Sequence, residues 1–520
     1  MSTHKSIAKS AAVIGLGTFC SRILGLLRDM VIAALFGVYA YADAFVIAFR
    51  IPNLFRDLLG EGAANAALVP VFSEYSVKHT KEEFWELANT LLNLLLVILA
   101  GITLLGIIFS PLLVRMFAPG FIYEPEKLSL TIALNRIIFP YCLLICLAAY
   151  CMAVLNSLKH FSVPAFAPCL LNISIIICAI VFGEGITGLA LGVLLGGLLQ
   201  LAVQVPVLYK KGFRPKLFRS FRHPAAGTVG RLMLPRLLSS GIYQLNNVVD
   251  SAFGSLAFIV GEGGVAVLYY AYRLIQFPLG VFSNSLFQAI LPTFSVQALE
   301  SDFKELKATL SFGLRSIFFL MLPASAGLIV LSKPIVKVIY ERGKFDVYSA
   351  QMTSDVLVFY SLGLAAYAAV KVLQACFFAL KDTYTPTKVS AWGLGMNIVL
   401  NTALIFPFKI SGVALATSLS GLATCVILFV ILDKRLQSLE RREILSSFLR
   451  SLAASVAMAG VCILVIRRLP MGEGIMQQAV YLAALIIASA ASYMGFCFIL
   501  GVKESRELYK WFKKRGRNEK

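Results

Sequence analysis

The sequence predicts an all-α polytopic membrane protein, and three observations carry that reading. Of 520 residues, 59% are hydrophobic and only 14% charged, against about 25% charged in soluble domains. Mean hydropathy is +0.82. The apolar residues run in unbroken stretches of about twenty instead of alternating, which favours membrane helices over a β-barrel. This composition excludes a soluble enzyme, a disordered chain and a secreted disulfide scaffold.

A hydrocarbon core of ~30 Å takes about 20 helical residues per crossing. On that ruler the chain divides into about fourteen spans: 11–37, 42–74, 89–114, 130–156, 162–182, 187–209, 229–258, 265–297, 308–339, 350–379, 389–406, 411–432, 446–466 and 476–501. Lys5 and Lys9 ahead of the first apolar run resemble a signal peptide. No small-residue cleavage site follows and Arg22 interrupts the run, so a retained first helix is expected. Pro and Gly inside several spans predict kinks or breaks, which membrane helices tolerate where neighbours or water satisfy the backbone.

Lys and Arg set the orientation. With the N-terminus in the cytoplasm, the inside loops hold Lys78, Lys81, Lys159, the runs Lys210 to Arg222 and Lys434 to Arg442, and the tail. The outside loops hold few, among them Arg115, Lys127, Arg342 and Lys344. Both termini are therefore expected in the cytoplasm. The same asymmetry accounts for 47 basic against 27 acidic residues, a net +20, without nucleic-acid binding.

All ten cysteines fall within apolar stretches and none forms a CxxC pair; the four histidines lie in or near polar loops. Neither a metal centre nor a catalytic triad is expected, and the chain reads as a non-enzyme.

The chain repeats itself. Ile186-Thr-Gly-Leu-Ala-Leu-Gly-Val-Leu-Leu-Gly-Gly-Leu198 recurs as Ile410-Ser-Gly-Val-Ala-Leu-Ala-Thr-Ser-Leu-Ser-Gly-Leu422. Phe49-Arg50 recurs as Tyr272-Arg273, and Pro70-Val-Phe-Ser73 as Pro292-Thr-Phe-Ser295, all at an offset of about 223 residues or six helices. An even number preserves membrane orientation. The expected architecture is two parallel-repeat six-helix lobes with a substrate cavity between them, residues 1–228 and 229–440. Residues 441–520 add two C-terminal helices and a basic cytoplasmic tail.

Charged groups inside spans cost at least ~2.5–3.5 kcal/mol at mid-membrane. Arg22, Arg28 and Asp29 lie in span one; Arg50, Arg56, Asp57 and Glu61 in span two; Asp250 in span seven; Arg273 in span eight. Local pairing, Arg28 with Asp29 or Arg56 with Glu61, would explain some of them. As a set, arginines outnumber acids, which points to a water-filled electropositive cavity. The planar guanidinium fork suits phosphate or carboxylate, so the expected substrate is an anion, in particular a phosphorylated one. No GxxxxGK[ST] loop is present, so transport is expected to run on an ion gradient, the membrane potential or the substrate's own gradient.

The motifs Ser21-Arg-Ile-Leu-Gly-Leu-Leu-Arg-Asp29, Ala42-Asp-Ala-Phe45, Pro52-Asn-Leu-Phe-Arg56, Glu61-Gly62, Ala118-Pro-Gly-Phe121, Pro164-Ala-Phe-Ala-Pro168, Leu171-Asn-Ile-Ser174, Tyr269-Tyr-Ala-Tyr-Arg273 and Glu341-Arg-Gly-Lys-Phe345 closely resemble the MurJ (MviN) lipid II flippases of the MOP exporter superfamily. The resemblance runs from the first helix through at least the twelfth. It implies flipping of lipid II, the undecaprenyl-pyrophosphate-linked disaccharide-pentapeptide, from the cytoplasmic to the outer leaflet of the bacterial inner membrane for peptidoglycan synthesis. The family's essential cavity arginines fall on Arg22, Arg28, Arg56 and Arg273, and its functional acids on Asp43 and Glu61. Spans 446–466 and 476–501 correspond to its lipid-tail groove. Where several members carry Glu three residues after the second-lobe arginine, this chain has Gln276. A family sodium site falls on Asp250, Asn397, Asn401, Val413 and Thr417. Asn401 replaces an acid there, and one formal charge fewer weakens a hard-cation site.

The resemblance implies lipid II and membrane lipids as ligands, peptidoglycan synthases as protein partners, a monomer, no cofactor and no nucleic acid; the one ion to consider is sodium. Two alternatives remain at this point: a flippase for another polyprenyl-linked saccharide, and a non-transporting scaffold for cell-wall enzymes. The scaffold has no need of costly cavity arginines.

Overall fold

The computed structural model describes residues 3–58, 65–218, 221, 223–300, 302–437, 439–469, 472 and 474–507, with the side chains at 3–11, 65–67, 232, 234–240, 242 and 243 set aside. No strand occurs among the described residues. The helices are α1 Thr3–Phe36, α2 Ala40–Phe55, α3 Asn65–Lys78, α4 Lys81–Ile108, α5 Ser110–Phe117, α6 Pro125–Ile138, α7 Tyr141–Ser157, α8 Ser162–Phe182, α9 Ile186–Lys210 and α10 Pro224–Gly254. They continue with α11 Ala257–Val260, α12 Gly264–Pro278, α13 Asn284–Gln297, α14 Lys304–Val330, α15 Ser332–Tyr340, α16 Val347–Leu362, α17 Leu364–Ala379, α18 Tyr384–Arg435, α19 Arg441–Arg468 and α20 Ile475–Ile499.

Among the described residues nine helices, or ten counting the bent pair α16 and α17, are long and apolar enough to cross a membrane. The fourteen spans expected from sequence also include α1, the pair α2 and α3, and α10, and divide α18 in two. That division has a physical basis. Lys409 takes φ 51° and ψ −132° inside α18, a left-handed conformation that an ordinary helix cannot contain. A Cβ on Gly412 would overlap the Leu404 carbonyl, so the chain folds back on itself at this point. Exposed Val97, Ile98, Leu104, Leu105 and Ile108 line α4, an apolar outer face suited to lipid.

The chain forms two compact units. The first comprises residues 1–258, 262–266 and 342–345; the second comprises 259–261, 267–341 and 346–520. The sequence repeat divides the chain at 228, inside α10, whereas by packing all of α10 belongs to the first unit, on α3, α4 and α5.

Within the first unit, α1 packs on α8 and α8 on α9. Small residues allow that closeness. Cβ atoms on Gly192 and Gly196 would stand 2.9 and 2.8 Å from the Cα atoms of Ile175 and Leu171. α4 starts on a capping box in which Thr80 Oγ1 accepts the Glu83 N–H and Glu83 accepts the Thr80 N–H, satisfying two orphan donors of the first turn. Phe72, Phe84, Leu87, Tyr150 and Leu208 form an apolar core between α3, α4, α7 and α9.

In the second unit α14 packs on α16, α17 and α19. The C-terminal pair docks through Phe319, Met458 and Tyr493, and Tyr493 Oη donates to the Phe319 carbonyl at 2.8 Å. Arg315 lies 3.2 Å from Glu443 and 3.5 Å from the buried Glu504, clasping α14, α19 and the helical residues 503–507.

Candidate functional site

The first unit uses its intramembrane charges in three different ways. Arg28, 6% exposed, donates Nε and Nη2 to Asp29 Oδ1 at 3.0 and 2.7 Å and Nη1 to Asn172 Oδ1 at 3.2 Å. Asn172 in turn donates to the Ser21 carbonyl at 3.2 Å. The Leu171-Asn-Ile-Ser174 motif therefore positions the arginine of the Ser21–Asp29 motif. The local pairing expected of Arg28 and Asp29 is present, with a further partner 144 residues away. Arg22, on the same helix, is exposed.

At the end of α2 the helix passes into a π-helical turn at residues 56–58. Arg56 Nε and Nη2 donate to Asp57 Oδ1 at 3.1 and 2.7 Å, and Gln244 of α10 donates to Asp57 Oδ2 at 2.9 Å. Arg56 thus pairs with Asp57; Glu61, its expected partner, lies outside the described residues. Arg50, half-buried one turn and a half earlier, donates to Ser251 Oγ and, at 3.2 Å, to the Asn247 carbonyl.

Asp43 forms the third arrangement. Its carboxylate, 1% exposed, lies 2.8 Å from Lys127 Nζ and accepts the Ala266 N–H at 2.8 Å. Lys127 is also 3.5 Å from Glu124 and 4.5 Å from the Phe121 ring centroid. Sequence reasoning placed Lys127 among the outside loop charges and missed this role. The signal was its position six residues after the Ala118-Pro-Gly-Phe121 motif. The Glu341–Phe345 motif also acquires a reason. Gly343 has φ +59° and leaves no room for a Cβ beside the Ala34 carbonyl, which accepts the Lys344 N–H at 2.8 Å.

In the second unit, half-buried Arg273 on α12 donates to Gln276 Oε1 at 3.5 Å. The structure adds a cation that sequence reasoning passed over: Lys371, within the apolar α17, donates Nζ to Asn284 Oδ1. Asn284 follows a second π-helical turn, Leu279–Ser283.

Four of the five residues expected to hold sodium lie in the second unit and touch one another. Asn401 donates to Asn397 Oδ1 at 3.0 Å, Asn397 to Thr417 Oγ1 at 3.1 Å, and Thr417 to the Val413 carbonyl at 3.1 Å. Asn397 and Asn401 are fully buried. The oxygens are of the right class for a hard cation, but three of them already accept hydrogen bonds within this chain and the four residues carry no formal charge. Asp250, 7% exposed, belongs to α10 of the first unit. Among the described residues no three His, Cys, Asp or Glu side chains cluster as metal ligands.

Comparison with known proteins gives a consistent set. The family profile described as lipid II flippase MurJ matches residues 32–484. A Bdellovibrio bacteriovorus protein described as a probable lipid II flippase MurJ is 34% identical over 513 residues, 96% of either chain. A Vibrio cholerae protein of the same description is 33% identical over 520 residues, covering 97% of this chain and 98% of its own. A solved structure of lipid II flippase MurJ in an inward closed conformation superposes with TM-score 0.79 at 28% identity, covering 96% of this chain and all of the other. An inward-facing multidrug resistance MATE transporter of the MOP superfamily shares the fold, with TM-score 0.67 at 15% identity over 80% of this chain and 94% of its own.

Proposed function

Because the chain belongs to the MurJ lipid II flippase family, we propose that it flips lipid II from the cytoplasmic to the outer leaflet of the bacterial cytoplasmic membrane by alternating access. The observation that carries this reading is the set of arginines within apolar stretches, Arg22, Arg28, Arg50, Arg56 and Arg273. Their forks match the diphosphate in charge and geometry. Arg22 is exposed on its helix and is the group that meets substrate directly. Arg28 is braced by Asp29 and Asn172, and Arg56 by Asp57. These hold their forks in place and so limit the entropy lost on binding.

The protein acts as a secondary-type transporter. Each negative charge carried outward gains ~2.3 kcal/mol per 100 mV of inside-negative potential, so the diphosphate itself supplies a coupling element. Lys and Arg placement supports cytoplasmic termini, and cysteines introduced at Lys304 and Glu262 test it by labelling from inside and outside respectively. Peptidoglycan synthases, which consume the flipped lipid, are the class of protein partner, and each copy works as a monomer.

The test of this reading is rescue of cells depleted of their own lipid II flippase. The wild-type chain should restore growth and Arg22→Ala should not, at equal membrane abundance. Growth with Arg22→Ala would remove the anion-cavity reading; no growth with wild type would favour a different polyprenyl-linked saccharide.

A further inference from the structure

The two units repeat a backbone irregularity as well as a sequence. A π-helical turn starts at Arg56 in the first unit and at Leu279 in the second, an offset of 223 residues, the same as that between Arg50 and Arg273. Such turns are rare and concentrate at functional sites. In the first unit the turn itself carries a cation, Arg56. In the second the equivalent position is Leu279, and no basic residue occurs in 274–297. The second unit supplies its cation from elsewhere: Lys371 reaches from α17 to Asn284 Oδ1, the first residue beyond the turn. The residue one repeat before Lys371 is Ala148, so the lysine is particular to this unit.

Lys371 stands eight residues inside the α17 end at Ala379, ~12 Å along a helix axis. An ammonium in the interior of an apolar helix of a membrane protein is expensive and marks function more often than packing. We propose that Lys371, positioned by Asn284, is a further phosphate-contacting cation of the flippase, the second unit's functional equivalent of Arg56, with the diphosphate of the lipid substrate as its ligand. This inference rests on the flippase reading for its ligand.

The full-length protein in phosphatidylcholine nanodiscs provides the test, with undecaprenyl diphosphate and undecaprenol as probes and inorganic pyrophosphate as competitor. Lys371→Gln should bind the diphosphate about ten-fold more weakly, the loss of one charge-assisted hydrogen bond, and bind undecaprenol as wild type does. Lys371→Arg should match wild type. Equal diphosphate binding by Lys371→Gln, or equal weakening for both lipids, overturns the proposal, the second outcome marking a structural brace. Pyrophosphate as potent as the lipid overturns assignment to a lipid headgroup. If Lys371→Gln does not fold, Asn284→Asp serves, since its carboxylate neutralises Lys371 and should weaken diphosphate binding alone. Rescue of depleted cells by the wild-type chain tests the flippase reading separately. If wild type rescues and Lys371→Gln rescues and binds equally well, only the present inference fails. If wild type does not rescue, the binding comparison still decides Lys371.

Discussion

Replacing Lys127 by Met isolates the energetics of the Asp43 site. Nζ lies 2.8 Å from Asp43, with the two side chains 3% and 2% exposed. Met keeps an unbranched stem and most of the packing. It removes the ammonium that faces Asp43, Glu124 and the Phe121 ring. Removing one partner of a buried pair costs about 3–5 kcal/mol because the other charge stays behind. The double variant Asp43→Asn/Lys127→Met leaves no lone charge, and Asn at 43 still offers an oxygen to the Ala266 N–H. Replacing both partners by neutral groups is often close to neutral, so the double variant should recover most of the loss and the coupling should reach ~2–3 kcal/mol. Eight of the ten cysteines are buried, so a thiol-reactive dye reports unfolding on heating or with denaturant. A double variant as destabilised as the two single variants summed would refute the pairing.

Four other outcomes follow from the same geometry. Arg28→Ala should lose both stability, by about 3–5 kcal/mol through the stranded Asp29, and complementation, whereas Arg22→Ala should lose complementation with an unchanged melting curve. Gly343→Ala, at φ +59° against the Ala34 carbonyl, should cost at least ~1–2 kcal/mol for the left-handed conformation alone, read from the same melts. In the loop before α18, burial pushes the Asp382 carboxyl up, but hydrogen bonds from Thr385 and Arg435 outweigh it and hold it below 3.8. Its contribution is therefore complete above pH 3.8 and lost as pH falls further. Asp382→Asn should lower the melting temperature equally at pH 7 and pH 5, with the difference from wild type shrinking only below pH 3.8. Asn401→Asp should introduce sodium dependence into flipping by adding the charge that the Asn397–Thr417 chain lacks; flipping that stays indifferent to sodium would contradict this.

Much of the architecture was legible because membrane solvation writes itself into composition, and because Arg22, Arg28, Arg56 and Arg273 stand out in an apolar chain. The reversal at Lys409 falls where the sequence divides two spans, at the residue whose backbone leaves the helical region. What stayed hidden depends on distant contacts. Asn172 sits in a motif that was visible, but its bond to Arg28 spans 144 residues and has no periodicity to betray it. Lys127 was assigned to a loop because it lies at a helix start, where a charge is ordinarily cheap; its burial against Asp43 appears only once α2 and α6 are packed. Lys371 lies in an apolar run, and its partner Asn284 is 87 residues away in the sequence, so the pair appears only once the chain is packed.

Lipid II translocation can be measured in vesicles reconstituted with the purified chain, with membrane potential set independently of sodium. Wild type should move lipid II across the bilayer, faster when the compartment that donates the lipid is negative, and Arg22→Ala and Arg273→Ala should not while remaining folded. Translocation that is unaffected by these substitutions, or absent from folded wild-type protein, would contradict the flippase reading.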